Sequence, residues 1–371
     1  MHCDEDSPLF DLQDNATVAF FDHLVAFNRI YSNVHRYLCL MVCSAGICLN
    51  LLHFYVLTRR TMRAYVMNAL LCAMCVCDVT TMASYFIYIL RFRIFDNSSE
   101  FFGYSYPWLV FLILHVTTSI ALHTSSLYLS VVMAYIRWTA LDRLDAKWIN
   151  HRALRHIFLF TALAVSLISV PTVMVHKIVT VKEVLDSNDT KLDGLYTVQL
   201  DEETVDGCRL FRANLWITGI MFKVLPCILI FWFTIALIWK LCEMSEKRRL
   251  LRGEKFKPSV CSLLGQQPRV RKLSSASIDR TTLMLIVMMT VFLCTEMPQG
   301  LIALLSAMYP THVHTLIYVN VGELLDMLSL INCLVSFVVY CVMSSTYRAT
   351  VRSIFSRKKK PQLNHTSRLL T

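Results

Sequence analysis

Five ionisable side chains, Asp78, Lys223, Glu296, Glu323 and Asp326, lie within long apolar stretches of this 371-residue chain. A charge at the centre of a membrane helix costs about 2.5–3.5 kcal/mol on insertion scales, so each such residue calls for a partner or a task. Carboxylates and an ammonium in that setting can receive an oppositely charged ligand group or tie one helix to another. Lys223 and Glu323 stand nearer the outer ends of their stretches, where the side chain is expected to reach toward water. Turnover chemistry has less support. Cys72, Cys75 and Cys77 imitate the spacing of a metal motif, yet on a helix inside a bilayer these thiols read as small packing groups. The apolar stretches also lack the clustered His and Asp sets that hold a catalytic zinc, so neither an enzyme, a metal nor a cofactor is expected. His115 and His123 are eight residues apart on one helical face and could line a cavity together, the alternative being ordinary buried, hydrogen-bonded histidines.

Long apolar elements must position these residues. The chain is 56% hydrophobic and 17% charged, with a mean hydropathy of +0.51. That balance leaves a soluble protein of this size short of polar surface. About 20 mostly apolar residues cross the roughly 30 Å hydrocarbon layer as a helix. Seven such windows can be drawn, at about 37–57, 65–90, 106–138, 154–176, 213–241, 281–308 and 313–342. Their continuous apolar character excludes barrel strands, which alternate polar and apolar residues. The expected fold is an all-α membrane protein, a seven-transmembrane helix bundle with a short amphipathic C-terminal helix. Residues 1–36 would form an extracellular N-terminus, 37–342 the transmembrane domain, and 343–371 the amphipathic helix and a cytoplasmic tail. Tyr347, Val351, Ile354 and Phe355 recur at helical spacing for that last helix, with Arg348 and Arg352 between them. In the loop at about 177–212, β-branched runs (Ile178 to Val181; Tyr196 to Val198) flank turn residues and predict a hairpin lid.

Charge placement predicts orientation. Arg59, Arg60 and Arg63, then Arg143 to Arg155, the basic loop from Lys240 to Arg280 and the Arg357 to Lys360 run hold most of the 36 Lys and Arg. The positive-inside rule puts these segments in the cytoplasm and the N-terminus outside, in a multi-pass membrane protein expected at the plasma membrane. The net charge of +10 is thereby a topology signal and calls for no nucleic-acid partner. The acceptor tripeptides at Asn15, Asn97 and Asn188 all fall in segments this topology places outside, as glycosylation requires. The acidic first 30 residues contain no short apolar core, so the first helix is expected to serve as its own insertion signal.

Polar residues within the spans resemble the rhodopsin-like G-protein-coupled receptors over roughly residues 37–355. Asn50 and Asp78 match the polar residues of the first two helices, and Arg137-Trp138 the Arg-aromatic pair ending the third. Pro226 and Pro298 match the prolines of helices five and six, and Tyr340 followed by Tyr347 the junction after helix seven. Phe292-Leu293-Cys294-Thr295-Glu296-Met297-Pro298-Gln299-Gly300 and Leu325-Asp326-Met327-Leu328-Ser329-Leu330-Ile331-Asn332 are similar to invertebrate myosuppressin and FMRFamide-like peptide receptors. The sequence departs from the wider pattern at Glu296, where a tryptophan is usual, at Ile136, where an acid precedes the arginine, and at Ser336-Phe337, where Asn-Pro is usual. No cysteine lies between Tyr106 and Ser119, so Cys208 lacks its usual partner; a Cys3–Cys208 bridge is the remaining extracellular pairing.

The resemblance implies an amidated Arg-Phe-type neuropeptide as ligand and an inhibitory heterotrimeric G protein as transducer, with the lipid bilayer as surroundings. Glu296 or Asp326 would receive the ligand's arginine, with Glu323, Gln299, His115, His123 and Tyr318 as further cavity candidates. A protonated Glu296 would be a neutral hydrogen-bond donor. Asn50, Asp78 and Asn332 would share a polar cluster coupling ligand to Arg137, Trp138, Pro298 and Tyr340 at the signalling face. Ile136 cannot pair with Arg137, so basal signalling is expected. The alternatives are a rhodopsin-like receptor for another ligand and a transporter. The absence of an internal repeat argues against the transporter. Among receptors, residues 313–342 hold no lysine for a retinal Schiff base, and Ser119 stands where amine receptors carry an aspartate.

Overall fold

The computed structural model describes residues 9–95, 103–142, 151–185, 192–200, 207–251 and 276–355. Its helices are α1 (Asn15–Leu57), α2 (Val66–Ile89), α3 (Tyr106–Asp142), α4 (His151–Ile168), α5 (Val170–Met174), α6 (Val181–Leu185), α7 (Gly207–Ile217), α8 (Leu225–Leu251), α9 (Ala276–Met308), α10 (Val319–Met343) and α11 (Ser345–Phe355). Wider π-helical turns at Leu90–Ile94, Thr218–Val224 and Pro310–Tyr318 extend α2, join α7 to α8, and lead into α10. Together they make seven helical stretches long and apolar enough to cross a membrane, ending in the short α11. Helices suit this setting because each satisfies its own backbone hydrogen bonds where no water can.

The first span differs most from the hydropathy reading. It begins at Asn15 instead of about residue 37 and runs for 43 residues, about 65 Å at 1.5 Å per residue. Hydropathy registers the part that suits lipid, whereas helix formation here begins at a polar cap. The Asp14 carboxylate accepts the Thr17 amide at 3.1 Å, which satisfies one of the free N–H groups at the helix start. These hydrogen bonds hold the Asp14 carboxyl below the usual carboxylate range.

The expected hairpin is present as β1 (His176–Thr180) and β2 (Tyr196–Leu200), antiparallel, with Ile178 opposite Val198. It is tied to the start of α3 through a backbone bridge in which Tyr104 and Tyr196 exchange N–H···O bonds of 2.9 and 2.8 Å. Gly103 permits this approach, since a Cβ there would stand 2.6 Å from Val181 Cγ2 and 3.0 Å from the Tyr196 carbonyl oxygen.

The largest hydrophobic cluster fills the end of the bundle that carries α11. Leu70, Leu71, Leu127, Met133, Leu237, Met288 and Met289 pack there from four spans. At that end α11 docks on α1 through Tyr347, which is fully buried and lies 3.0 Å from His53 Nδ1. The core thins toward the hairpin end, where a cavity opens between the spans.

Candidate functional site

Thr218–Val224 makes a wide turn just before Pro226, which cannot donate a backbone hydrogen bond. Such single π-helical turns relieve the crowding that a helix-interior proline creates, and they often mark functional positions. Here the turn leaves the Met221 carbonyl available to the Tyr128 hydroxyl of α3, which donates to it at 2.6 Å. Lys223 of the same turn is carried into the bundle. On α9, Pro298 lies inside the helix two residues beyond Glu296, where it removes the amide that would otherwise meet the Cys294 carbonyl.

Glu296 is fully buried at the junction of four spans. Its Oε2 accepts Lys223 Nζ at 3.1 Å. Its Oε1 lies 2.9 Å from His123 Nε2 of α3 and accepts Asn332 Nδ2 of α10 at 3.1 Å. Gln299, one turn along α9, accepts Lys223 Nζ at 2.6 Å and the Ser329 hydroxyl at 3.0 Å. Lys223 and Asn332 donate to Glu296, and the His123 ring meets the same carboxyl group.

Above this cluster lies a cavity of about 550 Å³, reaching from His176 of the hairpin to Ser329 and Leu330 of α10. Asp326, Gln299, His115, His123 and Tyr318 line it, as the sequence led us to expect. Asp326 shares one wall with Tyr85, Tyr88 and Tyr318, and the Tyr85 hydroxyl is engaged with its carboxylate. His115, 5% exposed, stacks on Tyr88 at 4.9 Å and meets Tyr85 edge-on at 4.7 Å. Leu112, Val116, Ile120, Phe222 and Ala303 supply apolar lining.

Two of the expected cavity residues lie elsewhere. Glu296 sits beneath the cavity with its oxygens occupied. Glu323 faces the first and second spans, where it pairs with Arg93 and accepts the Ser32 hydroxyl at 3.1 Å. Lys223 likewise departs from expectation. Its side chain is 13% exposed and turns inward to a carboxylate, because an ion pair with a buried acid outweighs the reach to water. The reading of single spans missed Lys223, Ser329, Tyr85 and Tyr88 as parts of this site. For Lys223 a signal existed: a lone ammonium in one span and a lone carboxylate in another invite pairing.

The members of the expected polar cluster have separate direct partners. Asn50 Nδ2 donates to the Gly46 and Cys333 carbonyls at 3.1 and 3.0 Å, Asp78 accepts the Ser126 hydroxyl at 3.1 Å, and Asn332 turns to Glu296. Among the described residues no direct hydrogen bond joins these three. At the α11 end, Arg137 Nε donates to Thr282 Oγ1 of α9 at 3.1 Å. A second cavity of about 330 Å³ surrounds it, lined by Met62, Met67, Met133, Met284, Met288 and Tyr340. Trp138 packs against Phe233 of α8 at 6.3 Å. Of the acceptor asparagines, Asn15 is the exposed first residue of α1; Asn97 and Asn188 lie outside the described residues. Cys3 does too, and Cys208 is described only as part of the α7 backbone.

Comparison with known proteins places this arrangement. A family model described as serpentine type 7TM GPCR chemoreceptor Srw matches residues 36–358. The chain is 33% identical over 365 residues to the G-protein coupled receptor dmsr-1 of Caenorhabditis elegans, covering 90% of this chain and 70% of that protein. It is 29% identical over 156 residues to the Sex peptide receptor of Drosophila melanogaster, covering 40% of this chain and 32% of that one. Seven membrane-crossing helices, a cavity with a carboxylate on its wall at one end and a partly buried arginine at the other fit a receptor that passes a signal. This chain belongs to the Srw family of serpentine seven-transmembrane G-protein-coupled receptors.

Proposed function

We propose that this receptor responds to a cationic, amidated neuropeptide of the FMRFamide-like or myosuppressin-like kind, and that the ligand's arginine is received by Asp326. The hairpin and the first 36 residues then face the outside of the plasma membrane, residues 37–342 form the receptor domain, and the tail beyond faces an inhibitory G protein. One observation carries this reading. Of the two carboxylates considered for the ligand, Glu296 is taken up by His123, Lys223 and Asn332, whereas Asp326 borders the open cavity beside three tyrosines. A guanidinium suits that wall because it makes paired hydrogen bonds to a carboxylate and also stacks on aromatic faces. The apolar part of the lining, Leu112, Val116, Ile120, Phe222 and Ala303, would take a neighbouring aromatic side chain. The relative named for sex peptide reception supports a peptide over a smaller ligand.

The test expresses the chain in cultured cells with inhibitory and promiscuous G-protein reporters and applies amidated Arg-Phe peptides beside free-acid controls and Lys-Phe analogues. The expected result is a saturable response to the amidated arginine peptides that Asp326→Asn removes without loss of surface protein. Equal potency in Asp326→Asn would refute the assignment of Asp326. Silence towards all peptides at confirmed surface expression would refute the ligand class.

A further inference from the structure

Lys223 stands between two carboxylates on different spans. Its ammonium bonds to Glu296 of the sixth span at 3.1 Å and to Gln299 at 2.6 Å, and it also lies in electrostatic range of Asp326 on the seventh, with which it shares the cavity lining. Among the described residues, the charged groups bonded here are Glu296 and Lys223, with Asp326 on the cavity wall and His123 of the third span alongside. Arg93 also acts electrostatically on Asp326, while its own ion pair is with Glu323, between the first, second and seventh spans.

We propose that Lys223 is the positioning residue that carries ligand occupancy from the seventh span to the sixth. The inference rests on the reading that a ligand cation is received at Asp326. In the empty receptor, Lys223 is attracted by both Asp326 and Glu296. A cation arriving at Asp326 cancels one attraction and repels the ammonium, so Lys223 is displaced from the position at which it bonds both Glu296 and Gln299, and the tie through it loosens. Those bonds tie the π-helical turn of the fifth span to α9. The other end of α9 holds Thr282 against Arg137, so a shift at Glu296 reaches the signalling face along one continuous helix. An ion pair here takes the place of the aromatic residue usual at this point of the sixth helix, and its effect is electrostatic where an aromatic ring would act by shape.

This mechanism separates binding from signalling. Removing the ammonium takes away a charge that opposes the ligand cation, so cationic ligands should bind Lys223→Met as well as the parent or more tightly. The same substitution breaks the tie between the fifth and sixth spans and should raise ligand-free signalling. Allosteric couplings of this kind are on the order of 5- to 150-fold, and we expect about a 10-fold change in the active population. Lys223→Arg keeps the charge and a donor for both acceptors and should restore parent-like basal signalling.

The experiment measures ligand-free G-protein activation of Lys223→Met, Lys223→Arg and Glu296→Gln at matched surface density, then binding of a labelled cationic peptide to the same cells. Raised basal signalling in Lys223→Met and Glu296→Gln, with Lys223→Arg close to the parent and peptide binding retained in Lys223→Met, supports the proposal. Unchanged basal signalling in Lys223→Met overturns it. If both neutral variants are absent from the surface while Lys223→Arg is present, the pair is structural only and the proposal fails. The basal arm needs no ligand, so a wrong peptide class would show in the binding arm alone.

Discussion

The two ends of the bundle hold their buried charge in different ways. Beneath the hairpin, Glu296 is met by an ammonium, an imidazole and an amide from three other spans. At the α11 end, the Arg137 guanidinium meets the neutral hydroxyl of Thr282 within a cavity walled by methionines. Losing one partner of a buried ion pair leaves the other charge uncompensated and is heavily destabilising. A hydrogen bond between a charged and a neutral group is weaker, and methionine side chains repack readily. The hairpin end thus holds together by charge pairing across four spans, whereas the described bond between α3 and α9 at the α11 end is a hydrogen bond among methionine side chains.

The largest expected effect sharpens the first half of that contrast. Truncating one partner of a desolvated charge pair costs about 2–5 kcal/mol. Asp326→Asn should therefore lower the potency of an arginine-containing peptide by about 100-fold or more, with surface expression unchanged. A loss of only a few-fold would place the ligand's cation elsewhere.

A smaller effect probes the other end. Thr282→Val keeps the shape of the side chain and removes the acceptor of Arg137 Nε. A hydrogen bond to a charged group is worth about 1.5–3 kcal/mol, part of which the guanidinium should recover by rearranging. Ligand-independent signalling should rise about three- to ten-fold at matched surface density. An unchanged baseline would show that this bond does not restrain α9, and the contrast between the two ends would lose its second half.

The smallest effect concerns the hairpin. A side chain at Gly103 would press on Val181 and on the Tyr196 carbonyl, loosening the backbone bridge that fixes the lid to α3. Gly103→Val should weaken peptide potency by several-fold through faster dissociation, leaving basal signalling as it is, because the lid touches the cavity and not the ion pair. A rise in basal signalling would tie the lid to the switch itself.

Much of this architecture was legible in the amino-acid order. Seven apolar stretches, the hairpin's β-branched runs and the amphipathic pattern of α11 are local signals, each confined to one element. The start of α1 was not legible from hydropathy, because the Asp14 cap and the polar residues behind it form a helix without resembling a lipid-facing one. Within the site, His115 and His123 could be placed on one face from helical spacing alone. Glu323 could not be separated from Asp326, since the two lie one turn apart and only packing against Arg93 and Ser32 draws Glu323 away from the cavity.

The seven spans and the charged residues within them follow from local order, because helical hydrogen bonding and burial in lipid depend on neighbours close along the chain. Which of those charges meet depends on packing between helices. Lys223 and Glu296 are 73 residues apart, and their meeting depends on the rotation of two helices and on the π-helical turn before Pro226. That pairing occupies Glu296 and leaves Asp326 beside the cavity, a division of roles between two similar carboxylates that no local pattern contains.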